Sequence, residues 1–371
     1  MDINPIGVAV PFFLLLIGIE WLVLRKQKKD VRINDAITDM SCGLGDQTIS
    51  LLAKSTVLIP YVALQTHYGA ARWAMDSVWT WVIGFIVTDF CFYWYHRFSH
   101  RVNLGWATHA VHHQSEEYNL SVALRQPWFS VFYNWIFYLP LAFLGLPVEV
   151  YATSLAFNLL YQFWIHTETI RRLGAFEWVF NSPSHHRVHH GTNPDYIDKN
   201  YAGVLIIWDR LFGTFQDEHE QVLYGTLKPL RSWNPIWANV GPWVYLSKLS
   251  ASQASFVDGL KVWFMPPEWT PDGPIDPKTL FAGDDRGYNV DKASKLHGYI
   301  LLNLILTGTI LGVLLTFEKS IGVQHQIVGA VFVVLSLSVW AGLFEGRKWA
   351  WPLEVVRLIY GVCAASTLFL I

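Results

Sequence analysis

The sequence predicts an all-α protein, a polytopic bundle of membrane helices with a histidine-rich site for two metal ions on its cytoplasmic side. Hydrophobic residues make up 52% of the 371 residues and charged residues only 15%, against roughly 25% charged residues in a typical soluble domain. Apolar segments of about 20 residues, enough for a helix to cross a bilayer, recur along the chain. Ten of the 14 histidines lie between residues 96 and 190.

The composition excludes two other classes of protein. The formal net charge is −2 and the chain has no basic stripe of the kind that binds nucleic acid, so we expect no nucleic-acid partner. The cysteines Cys42, Cys91 and Cys363 are far apart and form no C-x-x-C pair. Neither a disulfide framework nor a cysteine zinc site is therefore expected.

Eight segments are apolar enough to be interpreted as membrane helices. The weakest contains Lys54, and the fourth and fifth are joined only by Gly145-Leu146-Pro147. That short link predicts a tight helical hairpin, which either crosses the membrane twice or forms a re-entrant pair. The segments are 6–24, 47–66, 77–95, 128–146, 148–166, 298–317, 327–344 and 352–371.

The distribution of basic residues predicts the orientation of these segments. Arg25, Lys26, Lys28 and Lys29 directly follow the first segment, and basic residues favour the cytoplasmic side. Counting crossings from that point places residues 167–295 in the cytoplasm, together with the active site. The protein is thus expected to be an integral, multi-pass membrane protein.

We divide the chain into four regions on this basis. Residues 1–76 are N-terminal membrane helices, and residues 77–225 are a catalytic domain that contains the histidine-rich site. Residues 226–295 contain many prolines and tryptophans, which indicates a cytoplasmic or interfacial segment of loops and short amphipathic helices. Residues 296–371 are C-terminal membrane helices.

The histidines fall into three spaced boxes. His96 and His100 form an H-x3-H box, and two H-x2-H-H boxes follow at 109–113 and 186–190. On a helix, positions i, i+3 and i+4 share one face, so we expect each box to point at one spot. All three boxes lie at cytoplasmic ends of the predicted spans.

The number of imidazoles indicates more than one metal ion. One ion takes roughly four to six ligands, whereas the boxes supply eight histidines and His166 a ninth. Such a set suits two ions about 3.5–4 Å apart in a shared pocket. His185, just before the third box, is a further candidate. The predicted ligands are His96, His100, His109, His112, His113, His166, His186, His189 and His190.

Two polar residues of the apolar spans, Asp89 and His166, are assigned catalytic roles. Asp89 lies two helical turns before His96 and is expected to accept a hydrogen bond from a ligand imidazole. The alternative is an acid that merely lines a polar cavity. Asn158, Gln162 and His166 recur at i and i+4 spacing and predict a polar stripe.

The polar residues after the third box allow two interpretations. They could orient its histidines, or they could serve ordinary turns and helix caps. They are Asp195, Asp198, Asn200 and Asp209.

Missing motifs narrow the function further. No H-E-x-x-H, G-x-G-x-x-G, P-loop or G-x-S-x-G motif occurs, so a zinc protease lacks its general base and no redox cofactor domain is visible. Electrons for any redox reaction must come from outside the chain. A histidine-rich membrane metal transporter and a non-catalytic zinc-binding membrane protein are the alternatives to an enzyme.

The boxes resemble those of the fatty acid hydroxylase and sterol desaturase superfamily. Two longer stretches are most similar to its alkylglycerol monooxygenase branch: HRFSHRVNLGWATHAVHHQSEEYNLSVALRQ at 96–126 and SPSHHRVHHGTNPDYIDKNYAGVLIIWDRLFGTF at 182–215. The resemblance covers roughly residues 35–250.

The resemblance implies a non-haem di-iron centre, held by the box histidines, that uses O₂ to insert one oxygen atom into a lipid C–H bond. It also implies a lipid substrate within the bilayer and an external electron donor, either tetrahydrobiopterin or a cytochrome b5 or ferredoxin. Hydroxylation, desaturation and ether cleavage stay open. In the alkylglycerol branch an acidic residue follows the second histidine of the first box. In this chain Arg101 occupies that position, so the ether-lipid substrate and the pterin donor stay open.

Overall fold

The computed structural model describes residues 5–29, 31–71, 73–276, 279, 287–318 and 320–368, with the backbone alone at 5–8, 54–57 and 367–368. Helices dominate these residues, and their only β-type contact is an isolated bridge between Phe180 and Leu205. The predicted all-α class is therefore confirmed. The α-helices are α1 (Pro5–Lys26), α2 (Ile33–Tyr68), α3 (Val78–Arg101), α4 (Asn103–His113), α5 (Leu139–Phe143), α6 (Val148–Trp164), α7 (Pro183–His189), α8 (Ile207–Phe212), α9 (Pro235–Ala251), α10 (Phe256–Phe264), α11 (His297–Thr316), α12 (Val323–Phe344) and α13 (Ala350–Leu368).

Several helices can cross a membrane. Within the described residues, three helical segments are long and apolar enough: Val78–Arg101, Ser294–Thr316 and Val323–Phe344. Helix α2 adds a fourth if its halves, which meet at 48°, act as one span; the Lys54 side chain at this bend lies outside the described residues. These helices make the chain a multi-pass membrane protein.

Two of the eight predicted segments, 6–24 and 352–371, extend beyond the residues whose side chains the structure describes. Within the described part they form the helices α1 and α13, which carry Glu20, Glu354 and Arg357. That these two helices cross the membrane stays a prediction.

The prediction of a regular helix over 128–146 is wrong. The segment consists of 3₁₀ turns at Ser130–Phe132 and Asn134–Tyr138, followed by the five-residue α5. Pro140 explains the break, because it lacks an N–H and its ring would clash with a carbonyl one turn earlier in a continuous helix. Here Pro140 lies in the first turn of α5, where proline is tolerated.

This irregular segment nevertheless runs alongside α2 from Cys42 to the end of the helix. At its start the Trp128 indole N–H donates to the Cys42 carbonyl (2.8 Å), and at its end the Ala70 amide donates to the Phe143 carbonyl (2.8 Å). In between, the Tyr61 hydroxyl donates to the Leu146 carbonyl (3.0 Å). Non-helical backbone is tolerated at membrane depth only where protein covers it, and α2 supplies that cover.

Helices α3 and α6 pack side by side in the same direction. Gly84 of α3 lies against Val150 of α6, where an added Cβ would come within 2.4 Å of a Val150 methyl group. Further along, Asn158 donates to Asp89 (2.5 Å). The two C-terminal ends therefore meet, which brings His96 and His100 next to His166.

The proline-rich region contains the short helices α9 and α10, as predicted. Helix α10 is amphipathic: Phe256 and Phe264 are exposed, whereas Val262 is buried against Leu246 of α9 and Ala107 of α4. A second hydrophobic core joins α2 to the C-terminal helices around Ile37, Leu311, Val333 and Trp340.

Candidate metal centre

Nine buried histidines meet where the ends of α3 and α6 join α4 and α7. They are the nine residues that the sequence analysis singled out, and each is at most 7% exposed. Their ring nitrogens form two groups, with one nitrogen of every member within 4.8 Å of the others in its group. The five-histidine group is His96, His100, His109, His113 and His189; the four-histidine group is His112, His166, His186 and His190.

Two of the three boxes, 109–113 and 186–190, do not point at one spot, contrary to our expectation. Histidines at i and i+4 stay together, but His112 and His189, at i+3 of their boxes, belong to the other group. A helix turns about 100° per residue, so positions i+3 and i+4 lie about 100° apart around its axis. Each of the two H-x2-H-H boxes therefore faces both groups.

The nitrogen spacings fit ligands of a common ion. Ligands of an ion with metal–nitrogen bonds of about 2.1 Å are roughly 3.0–3.4 Å apart in octahedral or tetrahedral geometry. In the five-histidine group, His109 Nε2 lies 3.0 Å from His96 Nε2 and 3.2 Å from His113 Nε2. In the other group, His166 Nε2 lies 3.3 Å from His112 Nε2 and 3.0 Å from His186 Nε2.

Several further ring nitrogens are buried without a hydrogen-bond partner in the structure, among them the Nε2 atoms of His100, His189 and His190. An unpaired buried polar atom costs free energy. A bound cation at the centre of each group would satisfy these atoms, so the residues present fit a metal.

Backbone carbonyls orient four of the histidine rings through Nδ1, the ring nitrogen that points away from the other histidines. A carbonyl oxygen can only accept, so each Nδ1 donates and the lone pair is left on Nε2, as a metal ligand requires. The pairs are His96 with Tyr201 (2.7 Å), His112 with Arg125 (3.0 Å), His166 with Gln162 (2.7 Å) and His189 with Lys199 (3.0 Å).

Burial keeps these imidazoles neutral. It lowers the pKa of His112 to about 4. Burial, with repulsion between neighbouring imidazoles, also holds the pKa values of His109, His113, His186, His189 and His190 well below the ordinary histidine value. Neutral imidazole is the form that binds metals.

Asp89 anchors backbone rather than a histidine. Its carboxylate accepts hydrogen bonds from the amides of Val204 (2.9 Å) and Leu205 (3.1 Å) and from the Trp208 indole (2.9 Å). The expected bond from an imidazole is not among its hydrogen bonds in the described structure, because these donors and Asn158 surround the carboxylate. Its catalytic role stays a prediction.

The predicted polar stripe on α6 connects Asp89 to the site indirectly. Asn158 donates to Asp89, Gln162 donates to the Asn158 side chain (2.6 Å), and the Gln162 carbonyl accepts from His166. A hydrogen-bonded series thus runs from the acid in α3 to a member of the four-histidine group.

The loop after the third box orients histidines mainly through its backbone. Its Lys199 and Tyr201 carbonyls hold rings, and Asp209 fixes the loop by accepting from the Tyr201 amide (2.8 Å). Asp198 Oδ1 lies 3.7 Å from His100 Nδ1, so it serves the first box. Asp195 lies near His219, away from the centre. Sequence reasoning could not identify the carbonyls, because every residue has one.

Arg125 was missed and is buried beside the centre. Its guanidinium donates to Asp39 (2.9 Å) and to the Val111 carbonyl (2.8 Å), while its own carbonyl holds His112. A lone arginine between apolar segments gave no spacing signal. His185 belongs to neither group and packs against Phe215.

The comparisons with known proteins agree with this site. A model of the fatty acid hydroxylase family matches residues 81–214. An alkylglycerol monooxygenase of Danio rerio is 39% identical over 95% of this chain and 80% of its own length, and one of Homo sapiens is 46% identical over 72% and 60%. An ornithine lipid hydroxylase of Rhizobium tropici is 28% identical over 45% of this chain and 50% of its own.

No solved structure matches. The identity and the shared length of the alkylglycerol monooxygenases, together with the family match over the histidine boxes, establish the relationship. The chain belongs to the fatty acid hydroxylase family and lies in its alkylglycerol monooxygenase branch.

Proposed function

We propose that the nine histidines hold two iron ions and that the chain is a di-iron lipid monooxygenase. Family membership makes it an oxygen-dependent enzyme acting on lipids. The observation that carries the iron assignment is the pair of buried groups of neutral imidazoles with free Nε2 atoms. Imidazole suits iron, and when bound the two ions would supply the activation of O₂.

The protein's own residues position the histidine rings and exclude water from the centre. The carbonyls of residues 125, 162, 199 and 201 fix the rings, and the low exposure of the centre keeps water away. The overall reaction is R–H + O₂ + 2 e⁻ + 2 H⁺ → R–OH + H₂O. The catalytic unit comprises residues 77–225, which include the family match at 81–214.

We infer that the substrate is a glyceryl ether lipid. The relatives named as alkylglycerol monooxygenases support this substrate. Hydroxylation of the carbon next to the ether oxygen gives a hemiacetal, which breaks down to an aldehyde and a free hydroxyl group. Arg101 stands where the alkylglycerol branch has an acidic residue. Acidic side chains are nevertheless present beside the first box, because Arg101 pairs with Asp198 and with Glu268 (2.6 Å).

The electron donor is external, either a reduced pterin or a redox protein, and the site opens toward the cytoplasm. The basic cluster at the end of α1 supports that orientation. A metal transporter is disfavoured, because both histidine groups lie at one end of α3 and α6, whereas a transporter needs ligands along a path between the two sides.

Reconstitution in lipid nanodiscs tests the proposal. The iron-loaded protein should consume O₂ with an alkylglycerol and a chemical reductant and release a fatty aldehyde, detected by mass spectrometry. A diacylglycerol of equal chain length, which lacks the ether, is the matched control. Protein that binds only zinc and consumes no O₂ would support the non-catalytic alternative instead.

A further inference from the structure

One short loop contacts three of the five rings in the five-histidine group. It comprises residues 198–201, which follow α7 in the chain, and we call it the support loop. Each contact reaches the ring nitrogen that points away from the other histidines, so the loop lies behind the group. The contacts are Asp198 Oδ1 with His100 Nδ1 (3.7 Å), the Lys199 carbonyl with His189 Nδ1 (3.0 Å) and the Tyr201 carbonyl with His96 Nδ1 (2.7 Å).

The support loop is held in an uncommon backbone conformation. Asp198 and Asn200 have φ angles of 59° and 54°, in the left-handed region that few residues other than glycine, asparagine and aspartate enter. The buried Asn200 amide donates to the carbonyls of His185 (3.0 Å) and Gln216 (2.8 Å), and its oxygen accepts from the Gln216 amide (2.9 Å). Such a conformation persists where the surrounding structure fixes it, as these bonds do here.

Asp198 differs from the other two contacts because it brings a charge. Its second oxygen pairs with the Arg101 guanidinium, which also pairs with Glu268 (2.6 Å). One guanidinium between two carboxylates leaves a net charge of −1, so Arg101 holds Asp198 without cancelling the negative charge beside His100. At 3.7 Å this contact with His100 is electrostatic and longer than a hydrogen bond.

The four-histidine group lacks such a contact within the described part of the chain. Of the nine rings, only that of His100 has a carboxylate oxygen of a described residue within 4.0 Å. Near the four-histidine group, Asp39 and Asp35 face the Arg125 guanidinium instead, at 2.9 and 3.6 Å. Arg125 contacts His112 through its carbonyl. The two groups therefore differ in the charge behind their rings.

This difference matters for a cation in a buried site. A divalent ion held by neutral imidazoles alone brings uncompensated charge out of water, which costs free energy. A carboxylate behind a ligand imidazole raises the basicity of that imidazole and offsets part of the charge.

We propose that Asp198 is a positioning residue that makes the five-histidine group the tighter of the two metal sites, filled before the four-histidine group. Arg101 holds the Asp198 carboxylate in place. This inference rests on the proposed function, which assigns a metal ion to each group. The fifth imidazole favours the same order of filling, so the test must separate the charge from the number of ligands.

Cobalt binding to one group at a time separates them. His186→Ala/His190→Ala leaves the five-histidine group intact, and His96→Ala/His109→Ala leaves the four-histidine group. Metal-free protein in nanodiscs is titrated with Co²⁺ against a competing chelator, and the visible absorption of the bound ion is followed. In the first background Asp198→Asn should weaken cobalt binding about 10–100-fold. In the second it should leave the affinity unchanged.

The substitution is chosen to remove only the charge. Asparagine enters the left-handed region as aspartate does, and it keeps an oxygen that can face His100. Asp195→Asn is the matched control, because Asp195 is exposed, three residues earlier, and faces His219 at 3.9 Å. It should bind cobalt normally in both backgrounds.

A double-mutant comparison tests Arg101. In the background that keeps the five-histidine group, Arg101→Gln should weaken cobalt binding. It should add nothing to Asp198→Asn, because Arg101 acts through Asp198. Losses that add in the double variant would overturn the role of Arg101.

Three outcomes would overturn the role of Asp198: unchanged affinity in the five-histidine background, equal loss in both backgrounds, or first filling of the four-histidine group in the intact protein. Should a background fail to fold, the intact protein serves, since Asp198→Asn should weaken only the first of its two cobalt equivalents. Unchanged cobalt affinity with normal lipid turnover by the iron-loaded protein would reject this inference alone. The expected cobalt result without turnover of any lipid would reject the proposed function alone.

Discussion

At the scale of single residues, the site depends on imidazole rings whose Nε2 faces other histidines while their Nδ1 donates to a backbone carbonyl. His112 shows the arrangement, since its Nε2 faces His166 and its Nδ1 donates to the Arg125 carbonyl. Loss of one such ring removes an imidazole from a group of four. A substitution that only shifts the backbone carbonyl behind the ring changes the orientation of that ring, so the two kinds of substitution should differ in effect.

His112→Ala should abolish lipid turnover and lower bound iron while the protein still inserts, because insertion depends on the apolar spans. Turnover and metal content are measured on protein purified from membranes. His325→Ala, at the start of α12 and outside both groups, is the control and should keep full activity. Full activity in His112→Ala would contradict the ligand assignment.

Asp39→Asn should weaken metal binding roughly 10–100-fold, the usual effect of a residue that supports a ligand from behind. Asp39 accepts from Arg125 (2.9 Å), whose carbonyl holds His112, so the amide would leave the buried guanidinium poorly compensated. Competition with a chelator measures metal affinity. Asp46→Asn, also on α2 but bonded to Gln47, should bind metal normally; equal affinity in the two variants would exclude this role for Asp39.

At the scale of elements, the parallel pairing of α3 and α6 builds the site. It places both C-terminal ends together, and the irregular 128–146 segment is the return path that makes the pairing possible. Asp89 then ties α3 to the loop that carries the Tyr201 carbonyl, through the Val204 and Leu205 amides.

Asp89→Ala should destabilise the metal-free protein by about 1–3 kcal/mol for each buried donor left unsatisfied. The donors affected include the two amides and the Trp208 indole. Thermal unfolding in detergent, followed by circular dichroism, should show a lower midpoint. Asp76→Ala, exposed before α3, should leave it unchanged. An unchanged midpoint in Asp89→Ala would show that this contact does not hold the loop.

At the scale of the whole molecule, the orientation in the membrane decides where substrates and donors meet the site. The charge cluster at the end of α1 predicts that the histidine groups face the cytoplasm. The structure gives the placement of the histidine groups relative to the turn after α2. That turn lies at the start of α3, whereas His96 and His100 lie at the opposite end of the same helix.

Cysteine labelling of intact cells checks this orientation. In a Cys363→Ser background, which removes the exposed native thiol, a membrane-impermeant maleimide should label Asp76→Cys from outside but should label His219→Cys only after lysis. Both positions are exposed. The reverse pattern would place the site outside the cell.

The sequence by itself determined the helical class, the membrane character and the nine histidines, because each depends on composition or on local helical spacing. His96 and His100, for example, share a face whatever surrounds them. Only the tertiary structure decided to which of the two groups each ring belongs. His112 and His109 are three residues apart, yet they belong to different groups, because the partner rings come from α3, α7 and the end of α6. Likewise, Pro140 could be seen in the sequence, but only the packing against α2 shows how a broken segment still runs alongside that helix. The carbonyls of Arg125, Lys199 and Tyr201 hold rings that lie 10 or more residues away along the chain and carry no local signal. The Gln162 carbonyl is the exception among the four, because it holds His166 four residues later.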